Sequence, residues 1–210
     1  MTRIHIEGMT GSGKSFLIKY LKTRYPYFSI YTMLETNNVS NILDLNITKS
    51  RWALFTEMDF LQRHINNIIK SKTDTLCFVE NSIFSAKTCY FEYLRREHFF
   101  TEEEISLYNS WFKLMTSEHG HILPDCILYI ESDIHIHFER IINNSKSEQS
   151  NINLQTLQKF KFLYEKYLHI MEHHYHVRVV RVQCPPYFED NMGDMEQVVQ
   201  TIFTQLGIEL

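Results

Sequence analysis

Hydrophobic and polar positions change period several times along the chain, and each change marks an element. Arg3-Ile4-His5-Ile6 alternates as a strand does and ends at Glu7, while Phe16-Leu17-Ile18-Lys19-Tyr20-Leu21 has helical spacing, so Arg3 to Glu7 predicts a first strand and Gly13 to about Arg24 a first helix. Tyr25-Pro26 breaks the pattern, and Phe28 to Met33 predicts a second strand. A short helical pattern covers Ser40 to Leu45, and a long one covers Arg51 to about Ile69. Thr75-Leu76-Cys77-Phe78-Val79 is a continuous apolar run of the kind a buried parallel strand carries. Ile83 to about His98 predicts an aromatic-rich helix. Thr101-Glu102-Glu103-Glu104 has the form of an N-cap with an acidic first turn, opening a helix through Trp111 to Thr116. Cys126 to Ile130 is the fourth strand, and a helix starts near Asp133. Leu154 to His173 is a long amphipathic helix, Val177 to Val182 the fifth strand, and Asp194 to Leu206 a final helix. Strands that alternate with helices predict an α/β fold, a five-stranded parallel sheet with helices on both faces, in one domain over 1–210.

Composition narrows the function classes. The net charge of −4, with no long basic tract, argues against a nucleic-acid partner. No apolar run approaches 18 residues and no cationic-then-apolar start is seen, so neither a membrane span nor a signal peptide is expected and the chain reads as cytoplasmic. The four cysteines have no C-x-x-C spacing and read as reduced, buried thiols.

Candidate chemistry begins between the first strand and the first helix, where Glu7 to Ser15 reads E-G-M-T-G-S-G-K-S. This is a phosphate-binding loop. Gly8, Gly11 and Gly13 are expected to turn the backbone with positive φ, so that N–H groups of Gly8, Met9, Thr10, Gly11, Ser12 and Gly13 converge on one anion. Lys14 adds a full charge, Ser15 offers a hydroxyl to a magnesium ion on the phosphates, and the helix N-terminus adds its dipole. Two carboxylates follow strands at the same edge. Glu35 stands just past strand two, as a ligand-crevice residue or a solvated loop glutamate. Glu80 follows strand three and is a natural magnesium ligand if it faces the loop. The polar stretch from Asn143 to Asn153 is either a lid or a solvated loop.

Taken together these residues resemble the deoxynucleoside kinase family over nearly the whole chain. The most specific part is F-V-E-N-S-I-F-S-A-K-T-C-Y-F, Phe78 to Phe91, which is similar to the family's E-R-S motif and the helix after it. Supporting stretches are the phosphate loop, Arg51-Trp52-Ala53-Leu54, Ser110-Trp111-Phe112, Asp125 to Tyr129, and Glu139-Arg140-Ile141 with Lys146 to Ser150. The resemblance implies a P-loop kinase that moves a phosphoryl group from ATP, with Mg2+, to the 5′-hydroxyl of a 2′-deoxynucleoside. It makes Glu35 the general base, Glu80 a metal-site carboxylate, Lys14, Arg140 and Lys146 the cations on the phosphates, and about 143–151 the lid. It places Trp52, Glu57, Phe60, His64, Asn81, Ala86, Tyr90 and Gln149 at the substrate, with Phe60 and His64 lining one pocket with Tyr90. Homodimerisation through the aromatic helices from Ile83 to Thr116 is implied too.

Several positions depart from the family pattern. Asn81 and Asn144 stand where arginines are usual, Gln149 where a ribose-binding glutamate is usual, and Glu57 where a glutamine reads the base edge; no proline follows Glu35. Enclosure among Trp52, Phe60 and Tyr90 is expected to raise the pKa of Glu57. Ala86 and Phe60 point to a pyrimidine, thymidine foremost. Two competitors remain: a thymidylate-type monophosphate kinase, whose acceptor calls for more arginines than this pocket offers, and an inactive nucleotide-binding subunit of the same fold.

Overall fold

The computed structural model describes residues 2–33, 52–118, 122–144, 152–186 and 191–209. The Ser40 to Leu45 pattern, Glu35, Lys146, Gln149 and most of the expected lid lie outside them.

Five strands form one sheet in the order β2-β3-β1-β4-β5, and every pairing is parallel. They are β1 (Thr2–Glu7), β2 (Ser29–Tyr31), β3 (Leu76–Glu80), β4 (Cys126–Glu131) and β5 (Arg178–Gln183). Helix α1 (Lys14–Arg24) leads from β1 toward β2, and α2 (Ala53–Lys70) precedes β3. After β3 come α3 (Ile83–Ser85), a π-helical turn (Ala86–Phe91) and α4 (Glu92–Arg96); α5 (Glu102–Glu118) completes the crossover to β4. The remainder is α6 (Ile134–Asn144), α7 (Leu154–His173) and α8 (Met192–Leu206). Strand two is shorter than its apolar pattern, and the aromatic helix expected to run to His98 contains the π turn and stops at Arg96, with His98 at φ 58 just beyond. A π turn accommodates one extra residue, and that shifts the phase of the aromatic side chains after Ala86.

Alternation along β1 distributes its side chains between two faces. Ile4 and Ile6 join Leu17, Ile18 and Leu21 of α1 and Val198, Val199, Ile202 and Phe203 of α8 in one core layer. The other face is covered by two clusters. One joins Ile127 and Tyr129 to Leu157, Leu163, Tyr164 and Tyr167 of α7; the other joins Leu61, Ile65 and Ile68 of α2 to Phe91 and Tyr108. Being the central strand, β1 is buried on both faces, and Arg3, His5 and Glu7 are each at most 1% exposed.

The remaining local signals act as their chemistry dictates. Glu104 N–H donates to the Thr101 hydroxyl at 3.2 Å and the Glu104 carboxylate accepts from Thr101 N–H at 2.8 Å, a reciprocal cap that starts α5. All four cysteines are free and buried. Leu107, Trp111 and Leu114 leave an apolar stripe on the outside of α5, at 46%, 38% and 49% exposure. Among the described residues no helix is long and apolar enough to cross a membrane.

Candidate active site

The loop after β1 is shaped by three glycines for two different reasons. Gly11 and Gly13 take φ of 80 and 90, as anticipated, but Gly8 is not in the left-handed region. Gly8 is needed for space instead: a Cβ there would lie 2.6 Å from Ser12 Oγ and 3.2 Å from the Ile130 carbonyl. Gly11 is constrained twice over, since its Cβ would also meet the His137 carbonyl of α6 at 2.5 Å. Met9 is buried against the α7 cluster and Ser12 is 1% exposed, so the loop is anchored from below. Helix α1 starts at Lys14 on Gly13, with no side chain capping it. Its first N–H groups therefore stay available to an anion, beside the exposed Ser15 hydroxyl.

Charge converges on this loop from neighbouring strands. Ile6 pairs with Glu80, so the end of β3 lies level with the start of the loop, and Lys14 Nζ is 3.9 Å from Glu80 Oε1. Glu80 is 4% exposed and accepts a hydrogen bond from Met33 N–H just past β2. On the opposite side Arg140 of α6 donates from Nη1 to the Gly11 carbonyl at 3.2 Å. A nearly buried carboxylate, a lysine, an arginine and free helix-start N–H groups form a site for a polyphosphate with its counter-ion. The donor set fits Mg2+, which takes oxygen ligands from one or two side chains and the rest from phosphate and water.

The E-N-S turn after β3 is tightly built. Asn81 sits at φ 58, a conformation that asparagine tolerates better than most residues, and its N–H donates to the Ile6 carbonyl at 3.0 Å. Ser82 caps α3 by accepting from Ser85 N–H at 3.0 Å, and Ser85 Oγ accepts from Ser82 N–H at 3.1 Å.

The expected substrate residues divide into two groups. Glu57 and His64, two turns apart on one face of α2, are buried; Glu57 is 0% exposed and neither of its oxygens has a hydrogen-bond partner among the described residues. Burial pushes the Glu57 carboxyl up to about 8. The rise in pKa is as expected, but Trp52 does not contribute to the enclosure: it is 49% exposed and makes an edge contact with Phe55. The close neighbour is Tyr108 of α5, a buried phenol that sequence reasoning passed over as one of many aromatics and whose pKa the Glu57 charge helps to raise. Phe60 is half-buried and Ala86, 5% exposed, opens the π turn. Tyr90 belongs to the other group. Its ring packs on Phe160 and Tyr164 of α7, and Thr10 of the loop hydrogen-bonds to its hydroxyl. The π turn thus carries Tyr90 toward the phosphate loop and α7.

Such a loop, set between a strand and a helix at the carboxyl edge of a parallel sheet, with lysine, arginine and carboxylate around it, defines a P-loop phosphotransferase. The family model described as deoxynucleoside kinase matches residues 4–206. The chain belongs to the deoxynucleoside kinase family, and it is an enzyme that phosphorylates a nucleoside, with ATP as the donor that membership implies. It is similar to a probable deoxycytidine kinase of Fowlpox virus (strain NVSL), 28% identical over 207 residues that cover 96% of this chain and 86% of the relative. It is also similar to human deoxycytidine kinase, 24% identical over 79% of this chain and 75% of the relative. Deoxycytidine kinase 1 of Xenopus laevis is 22% identical over 95% and 88%.

The buried titratable groups set a pH dependence of stability. Burial pushes Glu7 up to about 7, partly offset by the Ser85 and Ser82 hydroxyls, the Lys14 charge and Tyr167, while Glu57 is at about 8; both start near 4.5 when unfolded. Above pH 4.5 the folded state therefore holds protons that the unfolded chain has released, and that stabilisation is lost as pH rises through 7 and 8. His5 and His64 are held down to about 3 and His137 to about 4, mainly by burial, so they lose stability as pH falls below 6.5. We expect maximum stability near pH 6, with a loss on the order of 2 kcal/mol between pH 6.5 and 8.5. Glu57→Gln should reduce that alkaline loss; urea midpoints that rise steadily through pH 8 would contradict it.

Proposed function

We propose that the protein transfers the γ-phosphoryl group of Mg-ATP to the 5′-hydroxyl of a pyrimidine 2′-deoxynucleoside, thymidine before deoxycytidine. The observation that carries the reading is the convergence of Lys14, Arg140 and Glu80 on one glycine-shaped loop. Phosphoryl transfer needs alignment and charge stabilisation above all, and these residues would supply the charge. Lys14, Arg140 and the loop N–H groups would hold the donor phosphates, with Lys146 joining them. Ser15 and Glu80 would hold the magnesium ion, which when bound neutralises the phosphate oxygens. Glu35, past β2, would accept the proton of the nucleoside hydroxyl.

Base preference follows from the protonation state of Glu57. Ionised, it only accepts hydrogen bonds and would suit guanine, which presents two adjacent donors. At a pKa of about 8 it is mostly protonated at neutral pH, so it both donates and accepts as an amide does. A neutral carboxyl can accept from thymine N3–H while donating to a thymine carbonyl. It can equally donate to cytosine N3 and accept from the cytosine amine. Ala86 supports thymine of the two, because the resemblance gives deoxycytidine and purine kinases an aspartate there and this chain has only a methyl group.

The apolar stripe of Leu107, Trp111 and Leu114 supports a homodimer through α5, where an isologous interface would remove it from water. Light scattering at micromolar concentration should give about twice the 25.2 kDa chain mass, and a monomer would count against that interface.

Lys14→Ala should reduce kcat by several hundredfold or more without unfolding the protein, since the ammonium lies beside Glu80 at the loop and not in an apolar cluster. Glu35→Gln should reduce kcat much more than it raises KM, because a base acts in the transition state. Wild-type turnover in Lys14→Ala would refute the loop assignment.

Phosphorylation of the four natural deoxynucleosides with ATP and magnesium tests the base reading. Thymidine should show the highest kcat/KM. Deoxycytidine above thymidine would overturn the role given to Ala86. Deoxyguanosine above both, with Glu57→Gln reversing the order, would show that the ionised carboxylate reads the base.

A further inference from the structure

Helix α7 carries two tyrosines one turn apart, Tyr164 and Tyr167, both at most 1% exposed, and their hydroxyls reach consecutive residues where β1 becomes the phosphate loop. Tyr164 donates to the Gly8 carbonyl at 3.3 Å, and Tyr167 donates to Glu7 Oε1 at 3.2 Å. Tyr167 also lies 2.9 Å from Ser82 Oγ, in the turn that follows Glu80. A phenol has one proton. With that proton on Glu7, its oxygen is left to accept from the Ser82 hydroxyl, whose own oxygen accepts from Ser85 N–H at 3.0 Å. The result is a directed chain from Ser85 through Ser82 and Tyr167 to Glu7, linking the end of β3 to the start of the loop.

The two ends of this chain flank the charged pair. Glu7 begins the stretch that ends at Lys14, and Ser82 follows the left-handed Asn81, which itself follows Glu80. The strand ladder, the Asn81 N–H bond to Ile6 and the Ser82 and Ser85 hydroxyls at Glu7 also join these two segments; Tyr167 bonds both from below, from α7. Hydrogen bonds in a buried chain polarise one another, and loss of the central hydroxyl would take one buried partner from Glu7 and one from Ser82 at the same time.

We propose that Tyr167 is a positioning residue: by hydrogen-bonding Glu7 and Ser82 at once, it sets the separation of Lys14 and Glu80 and so the alignment of the donor phosphates. The inference rests on the reading that Lys14 and Glu80 act on those phosphates. The ring of Tyr167 fills core and its hydroxyl does the aligning, so Tyr167→Phe separates the two.

The experiment compares wild type, Tyr167→Phe, Ser82→Ala and the double variant by steady-state kinetics with ATP, Mg2+ and thymidine, below the measured Tm of each. Tyr167→Phe should lower kcat about tenfold or more while the nucleoside KM stays within about twofold. Ser82→Ala should do the same from the other end of the chain, and the double variant should be no worse than about the poorer single one. Unchanged kcat in folded Tyr167→Phe overturns the proposal, as does a loss that falls on nucleoside KM or multiplies fully with that of Ser82→Ala. Should Tyr167→Phe fail to fold, Ser82→Ala decides, and a kcat unchanged there overturns it as well. Failure of the loop reading would appear separately, as wild-type turnover in Lys14→Ala.

Discussion

Because Ile6 pairs with Glu80 across the β1–β3 ladder, the chain leaves both strands at the same sheet edge, and Lys14 comes within 3.9 Å of Glu80. A slip of one residue in that register would turn Glu80 to the other face of the sheet. The register is held by apolar packing on both sides. Phe78 sits in the layer beneath α1 and α8, in edge contact with Phe28 at 5.4 Å, and Val79 is completely buried on the opposite face. The site therefore inherits its precision from the centre of the hydrophobic core, which is the least deformable part of the fold.

That arrangement has a cost, visible on the second face of β1. Arg3, His5 and Glu7 are buried in a row where a core strand would ordinarily carry branched apolar side chains. Each finds a different accommodation. Arg3 uses its backbone N–H to bond Asp125 at 2.7 Å, and burial keeps its guanidinium pKa lowered. His5 stays neutral because desolvation and the neighbouring Arg3 charge both oppose a proton. Glu7 gathers hydroxyls from α3 and α7. The row ends at Glu7, where β1 becomes the loop, so the central strand of the fold brings a buried carboxyl to the base of the site.

The fold was legible because its signals are local and periodic. The strand-loop-helix punctuation at Glu7 to Ser15, the apolar run ending at Val79 and the long pattern of α7 all lie within a residue or so of the observed elements. What could not be read is set by depth and by phase. Glu7 sits in an alternating run that looks half-buried, and only the central place of β1 in the sheet order shows that both of its faces are covered. Tyr108, Tyr164 and Tyr167 are three among many aromatic residues, and an aromatic at helical spacing is ordinarily core. Their hydroxyls matter because of what lies opposite them in space. The π turn is equally invisible in a constant helical period, and Tyr90, which lies in it, meets Thr10 and α7.

Asn81, at the position where the resemblance leads one to expect an arginine, also has a backbone aspect. At φ 58 the position is in the left-handed region, which asparagine occupies at less cost than a residue with a long aliphatic stem, because its short amide can bond locally. The turn keeps its shape and its N–H bond to Ile6 without a cation there. Positive charge at the described end of the site is then concentrated on the loop itself, in Lys14 and in Arg140, which reaches the Gly11 carbonyl from α6. Since α6 also forms the wall that forbids a side chain on Gly11, one helix both shapes the phosphate loop and supplies its second cation. Alignment of the loop with α6 therefore sets where the Arg140 charge lies relative to Lys14, with no further arginine in the E-N-S turn beside them.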